Sequence, residues 1–167
     1  MSVSSPARLR MRFDLLDVNA SGALTSADLA LFASRVRSVL GVPADAPKGR
    51  ALTEACLRFW AGLAEAADQD HDGEISFAEY SSFSHDAAWF AEYGEAYAVA
   101  VPAVCDLDDD GRIERDDFLG LHSAAGFPLT YSTKLFSDLD TGGTGRVSTE
   151  DFARFLRAFY TGAGDLL

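Results

Sequence analysis

Asp68, Asp70, Asp72 and Glu79 stand in the string D-Q-D-H-D-G-E-I-S-F-A-E, where their spacing can wrap one hard cation in carboxylate oxygens. The first three alternate along the chain, so their side chains converge once the segment turns back on itself. Gly73, in the sixth place, permits that sharp turn, and the backbone carbonyl of Glu74 adds a further oxygen. Glu79 closes the string in the twelfth place with a side chain long enough to give two oxygens at once. That shell suits the large, flexible coordination sphere of Ca2+ better than the small octahedral one of Mg2+.

A loop of this kind needs a helix on each side. Leu52, Cys56, Phe59 and Leu63 recur at steps of four, three and four, one face of a helix ending near Asp68. Phe77, Tyr80 and Phe83 follow the loop, and Ser76 with Glu79 three residues on forms a capping box. The last ligand therefore sits in the first turn of the outgoing helix. Helix, twelve-residue loop and helix together are an EF-hand.

Similar strings begin at Asp17, Asp106 and Asp140, so the chain is an internal repeat of four hands. The first, D-V-N-A-S-G-A-L-T-S-A-D, offers Asp17, Asn19, Ser21, the Ala23 carbonyl, Thr25 through water, and Asp28. It carries two formal charges, and Asp28 is one methylene shorter than Glu in the closing place. Weaker Ca2+ binding and better tolerance of Mg2+ are expected there. The third, D-L-D-D-D-G-R-I-E-R-D-D, offers Asp106, Asp108, Asp110 and Asp117 with the Arg112 carbonyl, Glu114 lying beside them. Its carboxylates repel one another until a divalent ion relieves them. Asp109 and Asp116 are expected to face water. The fourth, D-T-G-G-T-G-R-V-S-T-E-D, keeps Asp140, Gly145, Ser148 and Asp151 but has Gly142 and Thr144 where acidic or amide ligands belong. A structural hand with little or no affinity is expected.

The fold class expected is all-α, with short β-bridges between paired loops. Leu24, Ile75, Ile113 and Val147 each fall two residues after a loop glycine and are the residues placed to bridge. Hands one and two then make one pair, in residues 1–84, and hands three and four the other, in 85–167. Loop starts lie about 51 residues apart across the first interval and about 38 and 34 across the next two, so the first connection, V-P-A-D-A-P-K-G, holds extra length. Gly94 and Pro102 fall inside an apolar stretch expected to be helical but bent or broken. Phe152, Phe155, Leu156 and Phe159 show core spacing in a last helix, and Leu166 and Leu167 either fray or tuck into the body.

The net charge of -12 is mainly a property of the loops, which hold 17 of the 26 Asp and Glu. Such a surface repels nucleic acid and anionic membranes, and no basic patch offsets it. Neither a secretory signal nor a membrane-length apolar run is seen, so a cytoplasmic monomer is expected. Cys56 and Cys105 read as buried free thiols.

With these residues in place, the chain resembles the calerythrin and sarcoplasmic calcium-binding protein family over nearly its whole length. The shared marks are R-F-D-L-L-D-V-N-A-S-G-A-L at the first hand, the long first linker, A-V-C-D before the third loop and R-A-F-Y-T-G-A-G-D-L-L at the end. The resemblance implies two EF-hand pairs packed into one globule, with ligands at Asp17, Asn19, Ser21, Thr25 and Asp28 and at Asp106, Asp108, Asp110 and Asp117. In that family the second hand is usually degenerate and the fourth usually binds, whereas here those roles look exchanged. The function expected is a Ca2+ buffer or transporter with about three sites and no enzymatic activity. The alternatives are a sensor that opens an apolar groove for a protein target, which only two Met argue against, and, remotely, a photoprotein-like oxygenase. Trp60, Trp89, His85 and His122 are the candidates to hold an aromatic ligand in that last case, while His71 is expected to be solvated.

Overall fold

A computed structural model describes residues 6–83 and 86–162; Ser4, Ser5, His85, Leu166 and Leu167 lie outside the described residues. The incoming and outgoing helices of the first hand are α1 (Pro6–Leu16) and α2 (Ser26–Leu40), and those of the second are α3 (Pro47–Ala67) and α4 (Phe77–Ser82). A short turn α5 (Ala87–Trp89) runs through a π-helical segment, Phe90–Gly94, into α6 (Glu95–Cys105). Then come β1 (Arg112–Glu114), α7 (Arg115–Ala124), α8 (Leu129–Leu139), β2 (Arg146–Ser148) and α9 (Thr149–Thr161).

The expected bridges form. Leu24 and Ile75 exchange backbone hydrogen bonds of 2.9 Å in both directions. β1 and β2 run antiparallel with Ile113 opposite Val147 and Glu114 opposite Arg146. All four bridge residues are buried, so each loop pair is pinned to the core beneath it.

Helix termini follow from local chemistry. Pro6 and Pro47 sit in first turns, where a missing N–H costs nothing. α2 stops at Gly41, whose φ of 69° only glycine adopts without strain, and the Gly41 and Val42 amides donate to the last-turn carbonyls of Ser38 and Arg37. Ser76 and Glu79 make the expected reciprocal cap at the start of α4.

The stretch around Gly94 and Pro102 is unbroken, passing through a π-helical segment that ends at Gly94. At Gly94, the last residue of the π turn, a side chain would meet the Phe90 ring at 2.4 Å, so the close approach of ring and backbone requires glycine. α6 continues through Pro102, which has no N–H to donate to the Ala98 carbonyl one turn earlier.

One cluster of buried apolar side chains runs through both halves of the chain. The faces read from spacing are the ones inside it: Leu52, Cys56, Phe59 and Leu63 on α3, and Phe152, Phe155, Leu156 and Phe159 on α9. α3 lies along α6, and α2 along α7, so hands from different pairs share this interior. Phe59 is fully enclosed. Its ring stacks on Tyr97 at 4.9 Å between centroids and meets Tyr160 edge-on at 5.3 Å, with Trp89 at 5.7 Å. Cys56 and Cys105 are free and buried, and burial pushes the Cys56 thiol up to about 12.

Candidate metal centres

The four loops share one hydrogen-bond frame. In each, the carboxylate of the first residue accepts the amide of the sixth-place glycine: Asp17 from Gly22 at 2.9 Å, Asp68 from Gly73 at 3.1 Å, Asp106 from Gly111 at 2.9 Å and Asp140 from Gly145 at 2.8 Å. These glycines have φ between 77° and 91°, the left-handed conformation that aims their N–H inward. The seventh amide then donates to the fifth side chain, Ala23 to Ser21, Glu74 to Asp72, Arg112 to Asp110 and Arg146 to Thr144. The candidate ligand side chains are thereby held by the loop's own backbone. His71 and Asp109, at the fourth place of their loops, also take positive φ, and His71 is exposed as expected.

Loops two and three gather carboxylates. Oxygens of Asp68, Asp70 and Glu79 come within 4.8 Å of one another, as do those of Asp106, Asp108 and Asp110. Asp68 is almost wholly buried, and its Oδ1 has no hydrogen-bond partner. An anionic oxygen buried in that way is costly alone and fits a cation. The Asp70 carboxyl shows the strain of this crowding. The Asp72 amide pulls it down, but desolvation, the charges of Asp72 and Glu79 and a hydrogen bond with Asp68 outweigh that pull and raise it. In loop three Asp117 is raised by burial and by Asp116 and Asp108. Asp72 stands beside the second group with its Oδ1 accepting from Glu74.

The closing residues differ among the loops. Glu79 accepts from the amides of Gln69 at 3.1 Å and Ser76 at 2.8 Å, and its carboxyl is held low chiefly by the Ser76 backbone and hydroxyl. Asp28 is fully buried and does the same in loop one, accepting from Asn19 at 3.1 Å and Thr25 at 2.9 Å. Its shorter side chain thus still spans the loop. Ser21 Oγ lies 3.4 Å from Asp17 and 2.9 Å from the Ala23 carbonyl, inside the ring of candidate donors. In loop four Thr144 copies Ser21, donating to Asp140 or the Arg146 carbonyl. Gly142 leaves the third place without a side chain, however, and the Asp151 carboxylate pairs with Arg154 at 2.8 Å.

Two cations near loop three were invisible to spacing. Lys48, in the first turn of α3, binds the Asp106 carbonyl and pairs with Asp109 at 2.6 Å. Asp109 is solvent-exposed as expected, yet it has a partner 61 residues away in sequence. Arg146, from loop four, pairs with Glu114 at 3.1 Å and approaches Asp110 at 3.5 Å. Both sequence separations exceed any local motif.

A small apolar cavity of about 40 Å³ opens among Leu16, Phe32, Val101, Phe127, Phe155 and His122. It has room for two or three waters, whereas pockets for drug-sized ligands run about 300–1,000 Å³. Among the described aromatic and His candidates only His122 lines it, while Trp89 donates its Nε1–H to the Gly62 carbonyl at 3.1 Å. The buried His122 imidazole touches the Phe118 carbonyl through Nδ1 at 2.8 Å, and desolvation brings its pKa down to about 4. The unfolded chain therefore binds this proton first: no penalty exists above pH 6.5, and one grows to about 3 kcal/mol as pH falls to 4. Urea unfolding across that window should show His122→Phe losing much of the acid slope of the parent. An unchanged slope would place the proton uptake elsewhere.

The EF hand family profile matches residues 65–84, which contain loop two. Calerythrin from Saccharopolyspora erythraea is 29% identical, over 95% of this chain and 93% of its own length. A Streptomyces coelicolor calcium-binding protein, described in terms of prokaryotic calcium-mediated regulation, superposes with a TM-score of 0.82 at 28% identity, covering 93% of this chain and 96% of that one. Calcium-loaded apo-aequorin from Aequorea victoria shares the fold at a TM-score of 0.70 and 19% identity, covering 93% and 89% of the two chains. The repeated loop frame, the paired bridges and these likenesses make the chain a calerythrin-like EF-hand protein.

Proposed function

We propose that this protein binds calcium ions at three of its four loops and acts as an intracellular buffer. The observation that carries this reading is the carboxylate group of loop two, gathered within 4.8 Å, together with the buried, unpartnered Oδ1 of its Asp68. Loop two would use Asp68, Asp70, Asp72, the Glu74 carbonyl and Glu79, and loop three Asp106, Asp108, Asp110, the Arg112 carbonyl and Asp117. Loop one would use Asp17, Asn19, Ser21, the Ala23 carbonyl, Thr25 and Asp28, and with two charges it is the loop that accepts Mg2+. Hands one and two, in 1–84, and three and four, in 85–167, act as pairs within a cytoplasmic monomer that performs no catalysis. The calcium-binding name of the Streptomyces coelicolor protein, a structural neighbour of this chain, supports the choice of ion.

A buffer's apolar interior stays closed when ions bind. The continuous core and the presence of only two Met support that picture, because adaptable target grooves are Met-rich. No described helix is long and apolar enough to cross a membrane. A sensor is the second reading, favoured by the regulatory description of the Streptomyces coelicolor protein. Calorimetric titration should count about three Ca2+ ions. An apolar dye should bind less, or no more, once calcium is added. Dye binding that rises on saturation would transfer the reading to a sensor.

A further inference from the structure

We infer that Arg146 sets the calcium affinity of loop three, acting as a built-in cation that an arriving ion must oppose. The inference rests on the reading of loop three as a calcium site. Arg146 belongs to loop four, but the antiparallel register of β1 and β2 puts it opposite Glu114 and turns its guanidinium across the neighbouring loop. Its Nε lies 3.1 Å from Glu114 Oε1 and its Nη1 lies 3.5 Å from Asp110 Oδ2. Asp110 Oδ1 is engaged by the Arg112 amide at 2.8 Å, so both oxygens of this candidate ligand already face positive partners.

The other pair has no such device. The seventh places of loops one and two are Ala23 and Glu74, neither of which can bring a cation to its neighbour. Loop three is richer in acid than loop two, yet part of its field is cancelled from across the bridge. A positive charge beside a ligand oxygen repels a divalent ion and must be released from that oxygen or tolerated next to it. Because Arg146 is about half exposed, solvent screening keeps the effect modest.

The test follows the Gly111 and Gly73 amide signals of 15N-labelled full-length protein in chelator-buffered calcium, which report loops three and two separately. Arg146→Gln should move the Gly111 midpoint to about three- to tenfold lower calcium and leave Gly73 in place. Arg146→Lys, which keeps the charge, should stay near the parent. Arg154→Gln, which removes a charge that pairs with Glu150 and Asp151, should also leave Gly111 unmoved. Raising the salt concentration should narrow the gap between Arg146→Gln and the parent. A Gly111 midpoint that is unchanged or moves to higher calcium in Arg146→Gln overturns the inference. A Gly111 signal that ignores calcium in every variant overturns the metal reading of loop three and this inference with it.

Discussion

Glu79→Gln is expected to weaken calcium binding at loop two by on the order of a hundredfold, removing one ion from the calorimetric count. The closing place matters most because it alone can supply two anionic oxygens, and Glu79 already lies within 4.8 Å of Asp68 and Asp70 through one of them. Gln keeps the length and one acceptor oxygen, so the bonds from Gln69 and Ser76 can persist in part. The loss should therefore appear in affinity far more than in ion-free stability. Asp151→Asn provides the contrast, since that carboxylate is turned to Arg154 and Gly142 supplies no side chain to its loop. It should leave the titration within about twofold of the parent. Equal losses in the two variants would show that loop four is a working site.

Phe59→Ala is expected to cost about 3–5 kcal/mol of stability, measured by urea unfolding without metal. The ring is fully buried, and its neighbours Trp89, Phe90, Tyr97 and Tyr160 come from α5, the π segment, α6 and α9. Few of these can collapse into the void, because each is held by other rings: Tyr160 stacks on Phe90, and Trp89 meets Phe83 edge-on at 4.8 Å. Saturating calcium should recover part of the loss through mass action if the folded state alone binds ions. A cost below about 1 kcal/mol would mean that the two halves are not joined through this ring.

The loops were legible because their chemistry is local. Gly73 and Glu79 announce a turn and a cap within twelve residues, and the structure uses them in those places, with the Gly73 amide donating to Asp68. The apolar faces of α3 and α9 were legible for a similar reason, as helical periodicity needs no distant information. What escaped was set by packing between elements far apart in the chain. Lys48 reaches Asp109 only because α3 lies along α6, and Arg146 reaches Asp110 only through the register of β1 with β2. Gly94 marked an irregular place in the helix, but nothing in its spacing specified a π turn packed against the Phe90 ring. His122 carried no motif at all, and its burial beside the cavity is a property of the assembled core.

α3 is 21 residues long, about 30 Å from end to end, with Lys48 at its start gripping loop three and its last turn running directly into Asp68 of loop two. A helix of that length is stiff, and Gly49 and Gly62 seat it so closely on the first linker and on Tyr93 that it has little freedom to slide. The two most acidic loops are consequently mounted on opposite tips of one strut. α3 thereby links these two anionic poles across about 30 Å, from the Lys48 contacts at one end to Asp68 at the other.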